Sequence, residues 1–244
     1  MAERARPPAQ TGIVEKPSMT VAGRTYERLP VRTHIIHIKE PLEPVMEKYV
    51  APLIHDGDWI AVSEKFVTIS QGRVIHQSVV RPGTLARLIV KGVTKHADDV
   101  GYSDARKMQV AIMQAGWFRS FFAMVVGGFT RLFGRRGDFY RIAGHRISEI
   151  DGFNPATVKP FDEFAMLGPQ DPAAAADELA AMIGHPAVVI DANNINTEIL
   201  GKSTGFPLDD DTTREILRDN PLGQGEEISP IVIVRLAGRE EARR

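Results

Sequence analysis

The apolar positions change period early in the chain. "VRTHIIHIK" (Val31 to Lys39) has the β-branched density of a strand, whereas "PLEPVMEKYVAPL" sets Leu42, Val45, Met46, Tyr49, Val50 and Leu53 at helical spacing. A strand followed by an amphipathic helix is predicted. Beyond a turn at "HDGD" (His55 to Asp58), "WIAVSEKFVTISQGRVIHQSVV" reads as two β-like runs split by Ser70, Gln71, Gly72 and Arg73. From Pro82 to about Phe133 the spacing is helical with glycine interruptions, and "GRRGDFYRIAG" (Gly134 to Gly144) returns through a turn to a short strand. "EIDGFNPATVKPFDEFAMLGPQDP" holds four prolines in 24 residues, which predicts an ordered loop that lines a site.

Asp171 suits the cap of a helix that opens with Pro172 and ends at Gly184, where a left-handed residue belongs. The apolar runs Ala187 to Ile190 and "PIVIVRL" (Pro230 to Leu236) predict interior strands covered by helices on both faces. The expected architecture is therefore α/β, with mixed sheets and covering helices. A single domain is expected over 29–238, in two lobes of about 29–133 and 134–238, after a disordered leader (1–28) rich in Pro, Arg and Ala and before a frayed tail (239–244).

Composition narrows the partners. The chain has 244 residues, 43% hydrophobic and 25% charged, enough for a sizeable core without staples. Cysteine is absent, which excludes disulfides, thiolate metal sites and a cysteine nucleophile, and fits a reducing cytoplasm. A formal net charge of -1 supplies no basic field for nucleic acid. No apolar core follows "MAERARPPAQ", so no secretory signal is expected. The most apolar run, "WFRSFFAMVVGGFTRLF" (Trp117 to Phe133), has only eleven uncharged residues between Arg119 and Arg131, short of the roughly 20 that span a bilayer. Its plain reading is a buried or oligomer-facing helix; contact with a membrane surface is the other.

Candidate chemistry gathers where strands end. In "AVVIDANNINTEILG", Asp191, Asn193, Asn194 and Asn196 follow a buried strand, and side chains beyond the carboxyl ends of such strands are held by the sheet yet open to solvent. Carboxylate and amide oxygens suit Mg²⁺ and the phosphates it carries, although the same residues also close strands as Asx-turns. Gln224, Glu226 and Glu227 precede the last interior strand, with Gly223 and Gly225 able to let backbone approach a phosphate. "AGHRISEIDG" adds His145, a candidate general base, Arg146, able to fork onto a carboxylate or phosphate, and Glu149 and Asp151, able to hold metal. Turns and structural ion pairs account for each group taken alone. No Walker-type loop, nucleophile elbow or paired metal-binding histidines at helical spacing occur.

In order, "DGDWIAVSEKFVTISQGRVI", "YRIAGHRISEIDG", "VVIDANNINTEILGKSTG" and "GQGEEISPIVIVR" resemble the gamma-glutamyl ligase family of the deazaflavin coenzyme F-420, over roughly Val31 to Leu236. The resemblance implies an intertwined homodimer of mixed α/β fold that joins glutamate or a similar amino acid to a small-molecule carboxylate acceptor. It further implies GTP (or ATP) as co-substrate, Mg or Mn between nucleotide and protein, and an acyl phosphate. By that likeness Asp191 matches a metal-binding aspartate, Gln224 a metal-side residue, and Gly72 with Arg73 the family's "EGR" turn.

Four positions depart from the pattern: Ile69 replaces a nucleotide-contacting lysine, Arg146 an aspartate, Glu149 an asparagine and Ala192 a metal-side threonine. Charges about 4 Å apart interact by about 4 kcal/mol at an effective dielectric near 20, so Arg146 does not take the aspartate's place beside a metal. One reading is a rebuilt site: Asp191, Glu149, Asp151 and Gln224 on the metal, Arg146 and Arg73 on phosphates, Asn193, Asn194 and Gly223 near the nucleotide, and Lys65 supplying the missing ammonium from the same strand face as Ile69. The other is a non-catalytic nucleotide-binding or scaffold homologue.

Overall fold

The computed structural model describes residues 16–92, 104–132, 150–154, 157–192, 196–223 and 228–238. The chain is mixed α/β and divides into two compact units, 1–72 with 169–244, and 73–168. The boundary read from sequence, at 133/134, falls inside the second of these. Unit 1 is therefore discontinuous: the chain leaves it at Gly72 and returns at Pro169.

Unit 1 is built on a six-stranded sheet ordered β1-β2-β9-β3-β7-β8, with β1 at Met19–Val21, β2 at Arg24–Val31, β3 at Trp59–Ser63, β7 at Ala187–Ala192, β8 at Thr197–Lys202 and β9 at Ile231–Leu236. β3 and β7 are parallel (Ile60 opposite Ala187, Ser63 opposite Ile190), and β9 runs antiparallel to both β2 and β3. The expected interior strands sit at the centre, where Ile60 to Val62, Ala187 to Ile190 and Ile231 to Val234 are fully buried. On one face Trp59, Ala61, Val188, Ile190, Val232 and Val234 pack with Ile216 and Leu217 of helix α7 (Asp210–Leu217).

The other face receives helix α6 (Pro172–Ile183), which ends as its sequence predicts: Asp171 Oδ1 accepts the Ala174 N–H at 3.1 Å, and Gly184 closes it at φ 72. Its first turn lies directly on β8. A Cβ at Gly201 would sit 2.4 Å from the backbone of Pro172 and Ala173, so only glycine permits that approach. Helix α1 (Leu42–Tyr49) packs on α6, and α2 (Glu64–Ser70) on β3 and β7.

Unit 2 combines a three-stranded antiparallel sheet, β4-β6-β5 (Val74–His76, Phe164–Met166 and Asp151–Gly152), with helices α3 (Thr84–Gly92), α4 (Ala105–Ala115) and α5 (Trp117–Leu132). Leu85, Ile89, Met108, Ile112, Ala123, Ile150 and Ala165 form its core.

Several expectations are corrected. Within the expected leader, Met19–Val21 and Arg24 to Arg28 are strand. The inward positions of β2 are Tyr26, Arg28 and Pro30, so an arginine interrupts the apolar alternation; Arg28 is 1% exposed and donates from Nε to Pro17 O (3.0 Å) and from its terminal nitrogens to Ile216 O and the Asp219 carboxylate. The predicted strand over Val31 to Lys39 stops at Val31, opposite the first residue of β9, and the Thr33 N–H turns instead to Ile228 O at 3.1 Å. Phe66 to Ser70 is helix, not strand. All of Phe66 to Ile69 is buried, and so short an apolar run carries no period that tells the two apart. Lys65 and Ile69 share a face through helical i,i+4 spacing, not through a strand. The proline-rich loop contains β5 and β6. The strand expected in Gly134 to Gly144 lies outside the described residues.

Candidate functional site

Because β9 is antiparallel to β2 and to β3, while β3 is parallel to β7, strands β2, β3 and β7 all deliver their carboxyl ends to one edge of the sheet. Such an edge exposes side chains that the sheet holds rigid. β3 gives way at Ser63 to α2, whose second residue is Lys65; across the parallel pair, Asp191 lies one residue past Ile190. Lys65 and Asp191, both exposed, thus stand at the ends of adjacent parallel strands.

Asp191 is not beyond its strand but in it, directly opposite Glu198 in the β7–β8 ladder, and Ala192 pairs with Thr197. Asp191 thus lies at the end of an antiparallel ladder, not past the end of a lone strand. Alternation puts Asp191 and Glu198 on the same face as Val189 and Gly201, the face that α6 covers further along. Two carboxylates directly opposite repel, and a cation between them converts the repulsion into shared ligation. Sequence reading missed Glu198, whose signal is the hairpin register across 193–196. Asn193 and Asn194 lie outside the described residues.

On the opposite face Thr197 donates to Leu217 O at 3.0 Å, and Asn196, Thr197, Asp211, Arg214, Glu215 and Arg218 line a cleft of about 340 Å³. Its arginines are already paired: Arg214 to Asp211 at 2.9 Å and Arg218 to Glu215 at 2.7 Å. At the start of α7 the Lys202 ammonium holds the Asp210 carboxyl below the usual range. These pairs suit a solvated helix face.

The glycine-arginine turn is split by the boundary between the units. In unit 1, Gly72 takes φ 68, and the Lys39 side chain lies where its Cβ would be, with Cγ at 2.6 Å; Lys39 N–H also donates to Ile69 O at 3.0 Å. A lysine thus packs against this turn from thirty-odd residues upstream, a proximity no local pattern could reveal. In unit 2, Arg73 donates from Nε to Gly168 O at 2.7 Å. Val74 and Asp151 both pair with Met166, which brings Arg73 and Asp151 to one end of the small sheet, two strand spacings or about 10 Å apart. The predicted site residues that are described thus fall into two groups, Lys65, Gly72, Asp191 and Gly223 in unit 1, and Arg73 and Asp151 in unit 2.

Gly223 takes φ 81 and closes a turn with Asn220: its N–H donates to Asn220 O at 3.0 Å and its carbonyl accepts from Asn220 Nδ2 at 3.1 Å. The N–H that would meet a phosphate is engaged within the turn. His145, Arg146, Glu149 and Gln224 lie outside the described residues. Among the described residues no three His, Asp or Glu side chains gather closely enough to hold a metal ion.

One cluster carried no sequence signal. His34 Nδ1 lies 3.0 Å from the Tyr49 hydroxyl, His34 Nε2 lies 2.8 Å from Glu40 Oε1, and Glu40 Oε2 accepts the His37 N–H at 2.6 Å. Partial burial pushes the Glu40 carboxyl up, but the His37 N–H and the His34 ring outweigh it, and its pKa lies below the ordinary value. The cluster ties the segment after β2 to α1.

Compared with known proteins, the chain matches no family model and no curated relative.

Proposed function

We propose that the carboxyl edge of the large sheet is the site of a nucleotide- and divalent-metal-dependent amide ligase, which adds glutamate or a similar amino acid to a carboxylate acceptor through an acyl phosphate. The observation that carries the reading is the placement of Lys65 and Asp191 just past the last paired residues, Ser63 and Ile190, of adjacent parallel strands, with Glu198 facing Asp191. Mg²⁺ commonly takes one or two protein carboxylates and completes its shell with phosphate oxygens and water, so the facing pair Asp191 and Glu198 fits it, as it fits Mn²⁺. When bound, that cation would offset the charge of the phosphates.

Lys65 is the ammonium that meets the nucleotide in this reading; Lys39 lies beside Gly72, past the other end of the same helix. An oxygen of the acceptor carboxylate attacks the terminal phosphorus and releases the nucleoside diphosphate; the amine nitrogen then attacks the acyl carbon, expels phosphate and loses a proton. The gamma-glutamyl ligase-like fold, the homodimer, the cytoplasmic setting and the roles of His145, Arg146, Glu149 and Gln224 belong to the same proposal.

Calorimetry with GTP and with ATP, with and without Mg²⁺ or Mn²⁺, tests it on the wild type, Asp191→Ala and Glu198→Gln. Metal-dependent nucleotide binding that both substitutions abolish is expected, with phosphate release on adding amino acid and acceptor carboxylates. Binding that neither substitution alters would sink the site. Binding with no phosphate release would leave a nucleotide-binding protein in place of a ligase.

A further inference from the structure

Helix α5 presents its most apolar residues to solvent. Trp117, Phe118, Phe121, Phe122 and Val125 are exposed, Phe118 by 83%, while Ser120 and Ala123 are fully buried against unit 2. At 3.6 residues per turn the five exposed positions cover an arc of about 140°, with the buried positions opposite. The rings form an ordered slab: Trp117 stacks on Phe121 at 5.3 Å with an interplanar angle of 2°, and meets Phe118 edge-on at 5.3 Å. Gly116, at φ 86, ends α4 and frees α5 to set its own direction.

In sequence, the segment that carries these rings is basic. Trp117 to Gly137 contains four arginines and no acidic residue, in a chain whose formal net charge is -1. Aromatic residues on one helix face with arginines nearby are the make-up of a helix that lies in a bilayer interface, the rings among the acyl chains and the cations at the headgroups. A second copy fits less well. A two-fold pairing would bring together two copies of a segment of the same positive charge, with no acid in either.

We propose that α5 is a peripheral attachment surface for an anionic lipid bilayer. Among the described residues no helix is long and apolar enough to cross a membrane, so the attachment lies on the surface. It holds whether or not unit 1 is a ligase.

The two tryptophans make the test direct: Trp59 is 4% exposed and packs edge-on to Phe206, whereas Trp117 is 52% exposed and reports on the slab. With phosphatidylcholine vesicles containing phosphatidylserine, the full chain should float with the vesicles and its emission should move to shorter wavelength. Neither should occur with phosphatidylcholine alone, and added salt should weaken both. The double variant F118E/F122E should lose flotation and shift while keeping the wild-type thermal midpoint, since both side chains are exposed; Trp117→Phe should lose the shift but still float. No flotation with the anionic vesicles overturns the proposal. So does a dimer seen by sedimentation without vesicles that F118E/F122E dissociates, which would make a second copy the occupant.

Discussion

The large sheet of unit 1 and helix α5 of unit 2 are comparably apolar stretches that end in opposite places. In β3, β7 and β9 nearly every apolar side chain is covered on both faces, and the exposed polar groups Lys65, Asp191 and Glu198 collect where the strands stop. In α5 five apolar side chains face solvent, and only its inner side joins a core. Hydrophobicity therefore does not decide burial by itself; the number of neighbouring elements does. An interior strand has two laddered neighbours and two covered faces, whereas a surface helix has one face to bury.

Substitutions can break this contrast. The largest effect is expected in the sheet: Ile233→Ala removes a fully buried side chain from β9 and should cost about 2 to 5 kcal/mol in a denaturant titration. Gly201→Ala forces a methyl into the backbone of α6 and should cost about 1 to 3 kcal/mol by overpacking, more if α6 cannot shift. A cost below about 0.5 kcal/mol would mean that α6 does not sit on β8 as described.

Acid should weaken both units by a smaller amount. Glu40 in unit 1 and Asp104 in unit 2 have folded pKa values below their ordinary ones. For Asp104, burial pushes upward but is outweighed by hydrogen bonds from the Arg106 side chain and N–H. A depressed folded pKa contributes stability that is complete above the ordinary carboxylate range and disappears as pH falls through the folded value. Thermal midpoints should therefore decline below about pH 4.5, the upper end of the ordinary carboxylate range, and Glu40→Gln with Asp104→Asn should flatten that decline. The smallest effect belongs to α5: Phe118→Ser should change stability by less than about 0.5 kcal/mol while reducing vesicle flotation. A large loss of stability would show that something in the protein covers this face.

The features legible in sequence were those fixed locally. The ends of α6 were readable because a cap, a proline and a left-handed glycine are short-range devices, and the interior strands because burial on both sides leaves an unbroken apolar run. Features set by distant partners were not. β2 hid because its central inward residue is an arginine satisfied by Pro17, Ile216 and Asp219, and α2 passed for a strand because four consecutive buried residues, Phe66 to Ile69, carry no period. At the candidate site Asp191 stood out in sequence, but Glu198 and Lys39 depend on a hairpin register and a tertiary crossing.

The insertion of unit 2 between Gly72 and Pro169 has a consequence for biosynthesis. As the nascent chain emerges, β3 cannot acquire either of its ladder neighbours until everything from Arg73 to Gly168 has been made, because β7 and β9 are both encoded after it. Contacts so remote in sequence form slowly, so the inserted unit is complete and able to fold while the N-terminal strands still wait with their apolar edges uncovered. The strands before Gly72 are thus the part of the nascent chain that waits longest for its partners.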